Sequence, residues 1–160
     1  MALIVEDGTG LSDANSYVSV AYADAYFLAR NVTSWASLTI KEALLIQATD
    51  YMEAVYSESW KGTVLLDTQS LSFPRIIDDA TVYPDRLLKA VCELALKAND
   101  GTLLVDVEQR TIEEKIDVIT VKYAEYSDQK TQYSFVYGLI SPYLMSRGIS
   151  KKVVRCKMAL

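Results

Sequence analysis

The side chains that most often perform catalysis are scarce in this chain, and histidine is absent from all 160 residues. Without histidine the chain lacks the commonest general base, the usual partner of a serine or cysteine nucleophile, and the commonest metal ligand. The two cysteines, Cys92 and Cys156, are far apart and cannot make a zinc site without further thiols or imidazoles. The sequence therefore predicts a protein that is not an enzyme, with no metal and no cofactor.

Three short motifs could still support chemistry. Asp78-Asp79 and Glu113-Glu114 could act in acid–base catalysis or bind Mg²⁺, but adjacent acids without a third ligand are usually solvated surface charges. Gly8-Thr9-Gly10 lacks the full glycine pattern and the strand-then-helix frame of a phosphate-binding loop. A simple turn is the favoured interpretation of that motif, and Cys92 is expected to behave as a small hydrophobic side chain.

Charge is distributed unevenly along the chain. The formal net charge is −5, and residues 1–100 carry 14 acids and 7 bases, whereas the five charges of residues 147–160 are all basic. The acidic balance gives no general attraction to nucleic-acid phosphates or anionic membranes. The sequence shows no apolar run long enough to span a bilayer and no export signal, so we expect free thiols in a reducing cytoplasm.

The hydrophobic spacing predicts four helices, over about residues 20–30, 40–57, 84–99 and 132–145. Ser19 is the expected N-cap of the first helix, and Thr39-Ile40-Lys41-Glu42 matches a capping box for the second. The third helix is apolar on two sides, so it is either central to the fold or covered by a neighbouring subunit. Pro142 is expected to kink or shorten the fourth helix.

The remaining segments complete the predicted architecture. Residues 1–18 are rich in turn formers, residues 58–83 form a long irregular loop, and the alternation within 110–126 predicts a β-hairpin. The expected fold class is therefore mainly α: about four helices in a small bundle, a short β-hairpin after the third helix, and extended N- and C-terminal arms. We expect one domain over residues 1–146, followed by a basic tail over 147–160.

Aromatic side chains are the main candidates for contacts with other molecules. The chain has eleven tyrosines, which could stack on the bases of single-stranded nucleic acid or supply amphipathic contacts between subunits. The acidic balance favours subunit contacts. The candidate subunit-interface residues are Tyr22, Tyr26, Trp60, Phe73 and Arg75.

The basic tail has three interpretations: a solubilising end, a nucleic-acid contact, or a peptide that docks on an acidic partner. An apolar pair within a run of positive charges suits docking better than free solvation. The tail residues in question are Arg147, Lys151, Lys152, Val153, Val154, Arg155 and Lys157.

Several stretches, taken in order, carry a family resemblance. They are Ala2-Leu3-Ile4-Val5-Glu6-Asp7-Gly8-Thr9-Gly10, Ala14-Asn15-Ser16-Tyr17, Gln47-Ala48-Thr49-Asp50-Tyr51, Trp60-Lys61-Gly62, Phe73-Pro74-Arg75 and Val91-Cys92-Glu93-Leu94-Ala95-Leu96. Over residues 1–100 the chain resembles the head–tail adaptor (connector) proteins of tailed bacteriophages, a family often labelled DnaT-like single-stranded-DNA-binding. The chain departs from the family pattern at Gln47, Phe73 and Tyr22, where Arg, Trp and an acid are expected.

The resemblance implies a structural protein of the virion neck, assembled in the host cytoplasm. Such a subunit would form a homo-oligomeric ring, expected to be a dodecamer, below the portal protein. The ring would continue the channel for genomic double-stranded DNA without binding it specifically, and would dock the next neck or tail protein; no membrane is involved. The alternative is a single-stranded-DNA-binding replication protein that combines tyrosine stacking with the charges of the tail. A carboxylate-based hydrolase would need clustered acids, which the sequence does not show.

Overall fold

The chain folds into a mainly helical domain, as the sequence predicted. The computed structural model describes residues 2–103 and 133–145, together with the backbone of two strands at 113–116 and 119–122. The helices are α1 (Val20–Leu28), α2 (Thr33–Ala36), α3 (Lys41–Tyr56), α4 (Asp85–Asp100) and α5 (Ser134–Ile140). The strands are β1 (Thr63–Val64), β2 (Arg75–Ile77), β3 (Ala80–Val82), β4 (Glu113–Ile116) and β5 (Ile119–Lys122). No helix among the described residues is both long and apolar enough for a membrane span.

The first helix begins where the sequence predicted. The Ser19 hydroxyl accepts a hydrogen bond from the Tyr22 amide at 3.1 Å, which satisfies one of the free amides of the first turn. The one-turn helix α2 was not predicted. Its Trp35 ring packs 4.8 Å from the Phe27 ring, so the connection after α1 is fixed to the core by an aromatic contact.

Helix α3 confirms the predicted apolar face but not the predicted capping box. The apolar residues Leu44, Ala48, Tyr51, Met52 and Val55, which recur at the helical period in the sequence, are all buried. The N-cap is Ile40, with no side-chain hydrogen bond, so Thr39 does not cap the helix. The chain enters α3 one residue later than the capping box requires, and Glu42 still lies in the first turn, where an acid favours the helix dipole.

Helix α4 lies at the centre of the domain. It begins after Pro84, which is the N-cap and not the first helical residue, and Gly101 follows its last turn. Helix α4 packs on α3, on α5 and on α1. The buried residues on its two apolar sides include Leu87, Val91, Cys92, Leu94 and Ala95. Packing within the chain therefore accounts for the two-sided apolar pattern.

The region 58–83 is more regular than predicted. It contains the antiparallel sheet β1–β2–β3, in which Thr63 pairs with Ile76 and Arg75 with Val82. The strands have only two or three residues each, so the alternation that marks a strand is too short to detect in the sequence. Asp78 and Asp79 make the β2–β3 turn with φ of 51° and 62°, which is the backbone of a type I′ hairpin.

The C-terminal part of the described chain returns to the end of α3. Helix α5 stops at Ile140 and is followed by a 3-10 turn that contains Pro142, so the predicted shortening at this proline is confirmed. Trp60 then pairs with Leu144, and the Met145 amide donates to the Ser59 carbonyl at 2.8 Å. Strands β4 and β5 pair antiparallel within residues 110–126, as predicted.

The N-terminal segment lies against the body of its own chain. The buried Tyr17 hydroxyl donates to Glu53 of α3, and the other Glu53 oxygen accepts from the Ser72 hydroxyl at 2.6 Å. The Tyr83 hydroxyl donates to the carbonyls of Glu6 and Tyr17 at 3.0 and 2.9 Å. These hydrogen bonds join the segment to α3 and to residues on either side of the β2–β3 hairpin.

Candidate interaction surfaces

The Gly8-Thr9-Gly10 motif is a turn built around a buried carboxylate. Glu6 is buried, and its carboxylate accepts hydrogen bonds from the amides of Gly8, Gly10 and Leu11 at 2.8–2.9 Å. These are the amides that a phosphate would need. Because Glu6 already satisfies them, the structure confirms turn chemistry over phosphate binding.

The other residues that could take part in catalysis or metal binding do not lie together. Asp78 and Asp79 form an exposed hairpin turn, and among the described residues no three carboxylates, thiols or imidazoles form a group that could hold a metal ion. Cys92 is buried in α4, and burial raises the pKa of its thiol to about 12. At neutral pH this thiol is protonated and unreactive. Cys156 and the side chains of Glu113-Glu114 lie outside the described part of the chain.

Trp60, Phe73 and Arg75, predicted as interface residues, lie inside this chain. Trp60 is 2% exposed, and its ring meets the Phe73 ring edge-on at 4.9 Å. The Arg75 guanidinium donates to the carbonyls of Lys61 and Gly62 at 2.8 and 2.7 Å, and to the Ser72 carbonyl at 3.2 Å. Another subunit could reach these three side chains only if the fold opened, because the chain's own residues cover them.

Tyr22 and Tyr26 lie between α1 and α4. The Tyr22 hydroxyl donates to Asp85, and the Tyr26 hydroxyl donates to Glu93 at 2.8 Å. Burial is the largest cause that raises the pKa of both phenols above the ordinary value, and their acidic partners add to it. Tyr26 is buried, whereas Tyr22 is half-buried and keeps some surface for a second molecule. Their subunit contacts stay a prediction.

An apolar cleft opens between α1, α2 and the start of α3. We call it the α1–α3 cleft. It has a volume of about 280 Å³, and its lining includes Phe27, Leu28, Val32 and Trp35. Leu28, the last residue of α1, is 82% exposed at the rim. An aliphatic side chain exposed to this extent contributes little to the fold, so it is available to another molecule.

One ion pair neutralises the charge at this cleft. The Lys41 ammonium lies 2.8 Å from an oxygen of Asp24, and that same oxygen accepts a hydrogen bond from the Trp35 indole at 2.8 Å. The Lys41 hydrogen bond lowers the pKa of Asp24, and the Trp35 bond acts in the same direction. A second, shallower concavity of about 630 Å³ lies beside Lys41 and is lined partly by the exposed Ile40. This second hollow shares Lys41 with the cleft, and its lining also includes the acid Glu42.

The outer side of α5 is a second exposed apolar surface. Val136 and Ile140 face the core, whereas Phe135 is 58% and Tyr137 48% exposed on the two flanks of the helix. Gly138 lies between the flanks, and a Cβ placed there would meet no atom within 4 Å. We call this the α5 surface. Residues 133–145 include no charged residue.

The rest of the described surface is acidic. Residues 2–103 carry 14 acids and 7 bases. Three of the bases, Lys41, Lys89 and Lys97, pair with acids, and Arg75 is buried. Arg30 lies 3.5 Å from the centre of the Tyr26 ring and donates to the Tyr26 carbonyl. Few cations of the described body therefore remain to attract phosphates.

The predicted docking tail, which comprises Arg147, Lys151, Lys152, Val153, Val154, Arg155 and Lys157, lies outside the described residues. Met145, the last described residue, is held beside Ser59 at the C-terminal end of α3, which is the end opposite to the α1–α3 cleft.

The fold and these surfaces define a small, acidic, mainly helical domain with a three-stranded sheet and two exposed apolar surfaces. A family model described as "Putative DnaT-like ssDNA binding protein" matches residues 1–156, and the protein belongs to this family. No curated protein matches the chain, and no solved structure does either. The family description agrees with the label attached to the sequence resemblance, and it mentions no virion component.

Sequence reasoning missed the exposed apolar residues Leu28, Ile40, Phe135 and Tyr137. Each of them lies in or beside a helix with a regular apolar stripe, where an extra apolar residue is easily taken for part of the core. Leu28 alone had a usable signal, because it lies off the stripe formed by Val20, Ala23 and Phe27. The exposure of the others depends on where the elements pack.

Proposed function

We propose that this protein is a head–tail adaptor of a tailed bacteriophage. In this role, copies of the chain form a ring below the portal, extend the DNA channel and dock the next neck or tail protein. The proposal rests on the ordered resemblance across residues 1–100, with the acidic body and basic tail as its physical support. That physical support is a separation of charge: 14 acids against 7 bases in the first hundred residues, and five bases without an acid in 147–160.

An acidic body suits a channel through which DNA must move. DNA binds proteins largely by exchanging condensed counterions for lysine and arginine side chains. The described body has few cations that are not paired or buried, so phosphates passing it release few counterions and are not retained. A ring of such bodies would let the genome slide without sticking to the wall.

The tail is suited to a partner with an acidic surface. Val153 and Val154 lie among its positive charges and could anchor it in an apolar groove, while the charges select an acidic rim. Because Met145 is fixed at the C-terminal end of α3, the tail starts from a defined place on each copy. In a ring, this geometry would present all the tails towards the same side, where the portal would lie.

Deletion of residues 147–160 is the direct test of this role. We expect the truncated chain to bind the portal protein at least about 100-fold more weakly, or about 2.8 kcal/mol, because the charged and apolar contacts are lost together. Calorimetry with the purified portal measures the affinity, and urea unfolding should give an unchanged midpoint. A variant with Val153→Ser and Val154→Ser keeps every charge and separates apolar anchoring from charge. Unchanged portal binding by the truncated chain would refute the docking role.

Single-stranded-DNA binding is the second candidate, and the description of the family favours it. The binding would combine stacking of bases on exposed aromatic side chains with the positive tail. Phe135 and Tyr137 are exposed, but the segment 133–145 has no basic residue of its own, and the Lys61 ammonium beside it already donates to the Pro142 carbonyl at 2.7 Å. For this reason we place the adaptor role first.

A titration with a fluorescent oligothymidylate separates the two functions. For the adaptor we expect no saturation up to about 100 µM protein at physiological salt, because that is the weak end of non-specific binding. Micromolar binding that weakens steeply between 50 and 200 mM salt would support the DNA-binding function instead. The chain without residues 147–160 is the matched control: if binding disappears with the tail, the tail is the DNA contact.

A further inference from the structure

Two exposed apolar surfaces lie at separate places on this chain, and none of the residues that the structure describes covers either of them. The α1–α3 cleft is at the N-terminal end of α3, where Lys41 begins that helix. The α5 surface lies towards the other end, because the Tyr133 ring before α5 contacts the Tyr51 ring at 5.5 Å. Ten residues of α3 separate Lys41 from Tyr51, which is about 15 Å along the helix axis. The two surfaces are therefore distinct patches.

We propose that the α5 surface of one copy packs into the α1–α3 cleft of the next copy. This inference rests on the proposed ring, and it names the contact that would build it. A contact between two different patches is heterologous, so each copy keeps one free patch after binding and the chain of contacts closes into a ring if the rotation allows it. A contact between two identical patches would stop at a dimer.

Size and shape fit this pairing. A cavity of about 150 Å³ lined by apolar side chains already accepts a benzene ring. The α1–α3 cleft has a volume of about 280 Å³, so it has room for the phenyl group of Phe135 from a second copy. Gly138 leaves the centre of the α5 surface low between Phe135 and Tyr137, and Leu28 at the cleft rim can pack closely against that gap.

Charge favours a second copy as the occupant. Elsewhere, two acidic bodies would approach each other with like charges, because residues 2–103 have twice as many acids as bases. Residues 133–145 carry no charge of their own, the Lys61 ammonium donates to the Pro142 carbonyl beside them, and Asp24 and Lys41 neutralise each other at the cleft. These two patches are therefore places where copies of this acidic chain can meet with little repulsion between like charges.

Leu28→Asp and Phe135→Asp test the contact from its two sides. Both side chains are exposed, so the monomer should fold, and circular dichroism with urea unfolding checks this. Light scattering of the full-length chain, with and without the portal protein, should show a high-mass species for the wild type. We expect each variant to remain a monomer, because an aspartate buried in an apolar contact has no partner. Leu66→Asp makes the same change at an exposed site away from both patches and should assemble like the wild type.

An equimolar mixture of L28D and F135D gives the sharper result. The cleft of F135D and the α5 surface of L28D are both intact, so the mixture should form a two-chain complex that cannot grow. A mixture that stays monomeric, or single variants that assemble like the wild type, would overturn the proposed contact. If instead the wild type stays monomeric even with the portal, the adaptor role itself fails.

Discussion

Replacing Gly62 with alanine is expected to remove most of the stability of the domain. Gly62 has a φ of +70°, and a Cβ at this position would lie 2.0 Å from the Ile76 carbonyl oxygen. The left-handed backbone alone costs about 1–2 kcal/mol for a residue with a side chain. The clash adds to this cost, because the nearest atoms to the new Cβ belong to the Ile76 backbone, which cannot move away as a flexible side chain could. We expect a loss of about 4 kcal/mol or more in the free energy of unfolding.

The damage should spread beyond the turn. The neighbouring Thr63 pairs with Ile76, and the Gly62 carbonyl accepts one of the Arg75 hydrogen bonds. Moving the Gly62 backbone away from Ile76 therefore separates β1 from β2 and withdraws a partner from a buried cation. A domain of this size has about 5–15 kcal/mol of stability in total, so G62A should be marginally folded or unfolded at 37 °C.

Gly8→Ala is the matched control for this prediction. Gly8 also has a positive φ, of +94°, but a Cβ there would meet the Tyr83 ring at an ordinary distance of 3.6 Å. The control therefore carries the backbone cost without the clash, and we expect it to lose only about 1–2 kcal/mol. Urea unfolding of both variants measures the difference. Equal losses in the two variants would show that the close approach to Ile76 does not matter.

Replacing Arg75 with methionine is expected to lose about 3–5 kcal/mol of stability. The buried guanidinium donates to three carbonyls, those of Lys61, Gly62 and Ser72. Methionine fills a similar length but donates nothing. The Ser72 carbonyl, left buried without a donor, costs about 1–3 kcal/mol, and the less buried Lys61 and Gly62 carbonyls each lose a hydrogen bond from a charged donor, worth about 1.5–3 kcal/mol before water replaces part of it. Because these carbonyls belong to segments that α3 and the sheet bring together, the loss should loosen the whole 58–83 region.

Arg75→Lys and Arg86→Met make this prediction specific. Burial lowers the pKa of Arg75 from its ordinary value, and nearby Tyr17 and Glu53 act in the opposite direction. Lysine keeps the charge but lacks the planar fork that reaches several carbonyls at once, so R75K should lose an intermediate amount. Arg86 is exposed on α4, and R86M should change the free energy of unfolding by less than about 0.5 kcal/mol. An R75M variant as stable as R86M would contradict the stabilising role of the three Arg75 hydrogen bonds.

Long periodic segments were predictable from the sequence, and short ones were not. The apolar spacing of Leu44, Ala48 and Tyr51 predicted α3 because a buried helix face repeats over four turns. The strands β1 to β3 have two or three residues each, so no periodic signal separates them from a loop. The capping box at Thr39 failed for a related reason: a local motif competes with the path that the incoming chain takes from α2.

The predicted interface residues also show what the sequence alone could not decide. An aromatic or arginine in an irregular segment, such as Trp60, Phe73 or Arg75, looks available for another subunit when the sequence alone is considered. In the folded chain, Trp60 is covered by the pairing with Leu144, which lies 84 residues away in the sequence. Contacts across such a separation leave no local pattern, because either partner could be satisfied by many other residues.

The sequence by itself determined the mainly helical class, the acidic body with its basic tail, and the family to which the chain belongs. These properties depend on composition, periodicity and the order of short motifs, none of which requires knowledge of which distant residues meet in space. Only the tertiary structure decided which apolar side chains are core and which are exposed. Burial depends on the packing of the whole domain: Val136 and Phe135 are neighbours in the same helix, yet Val136 is buried in the core and Phe135 is exposed to solvent.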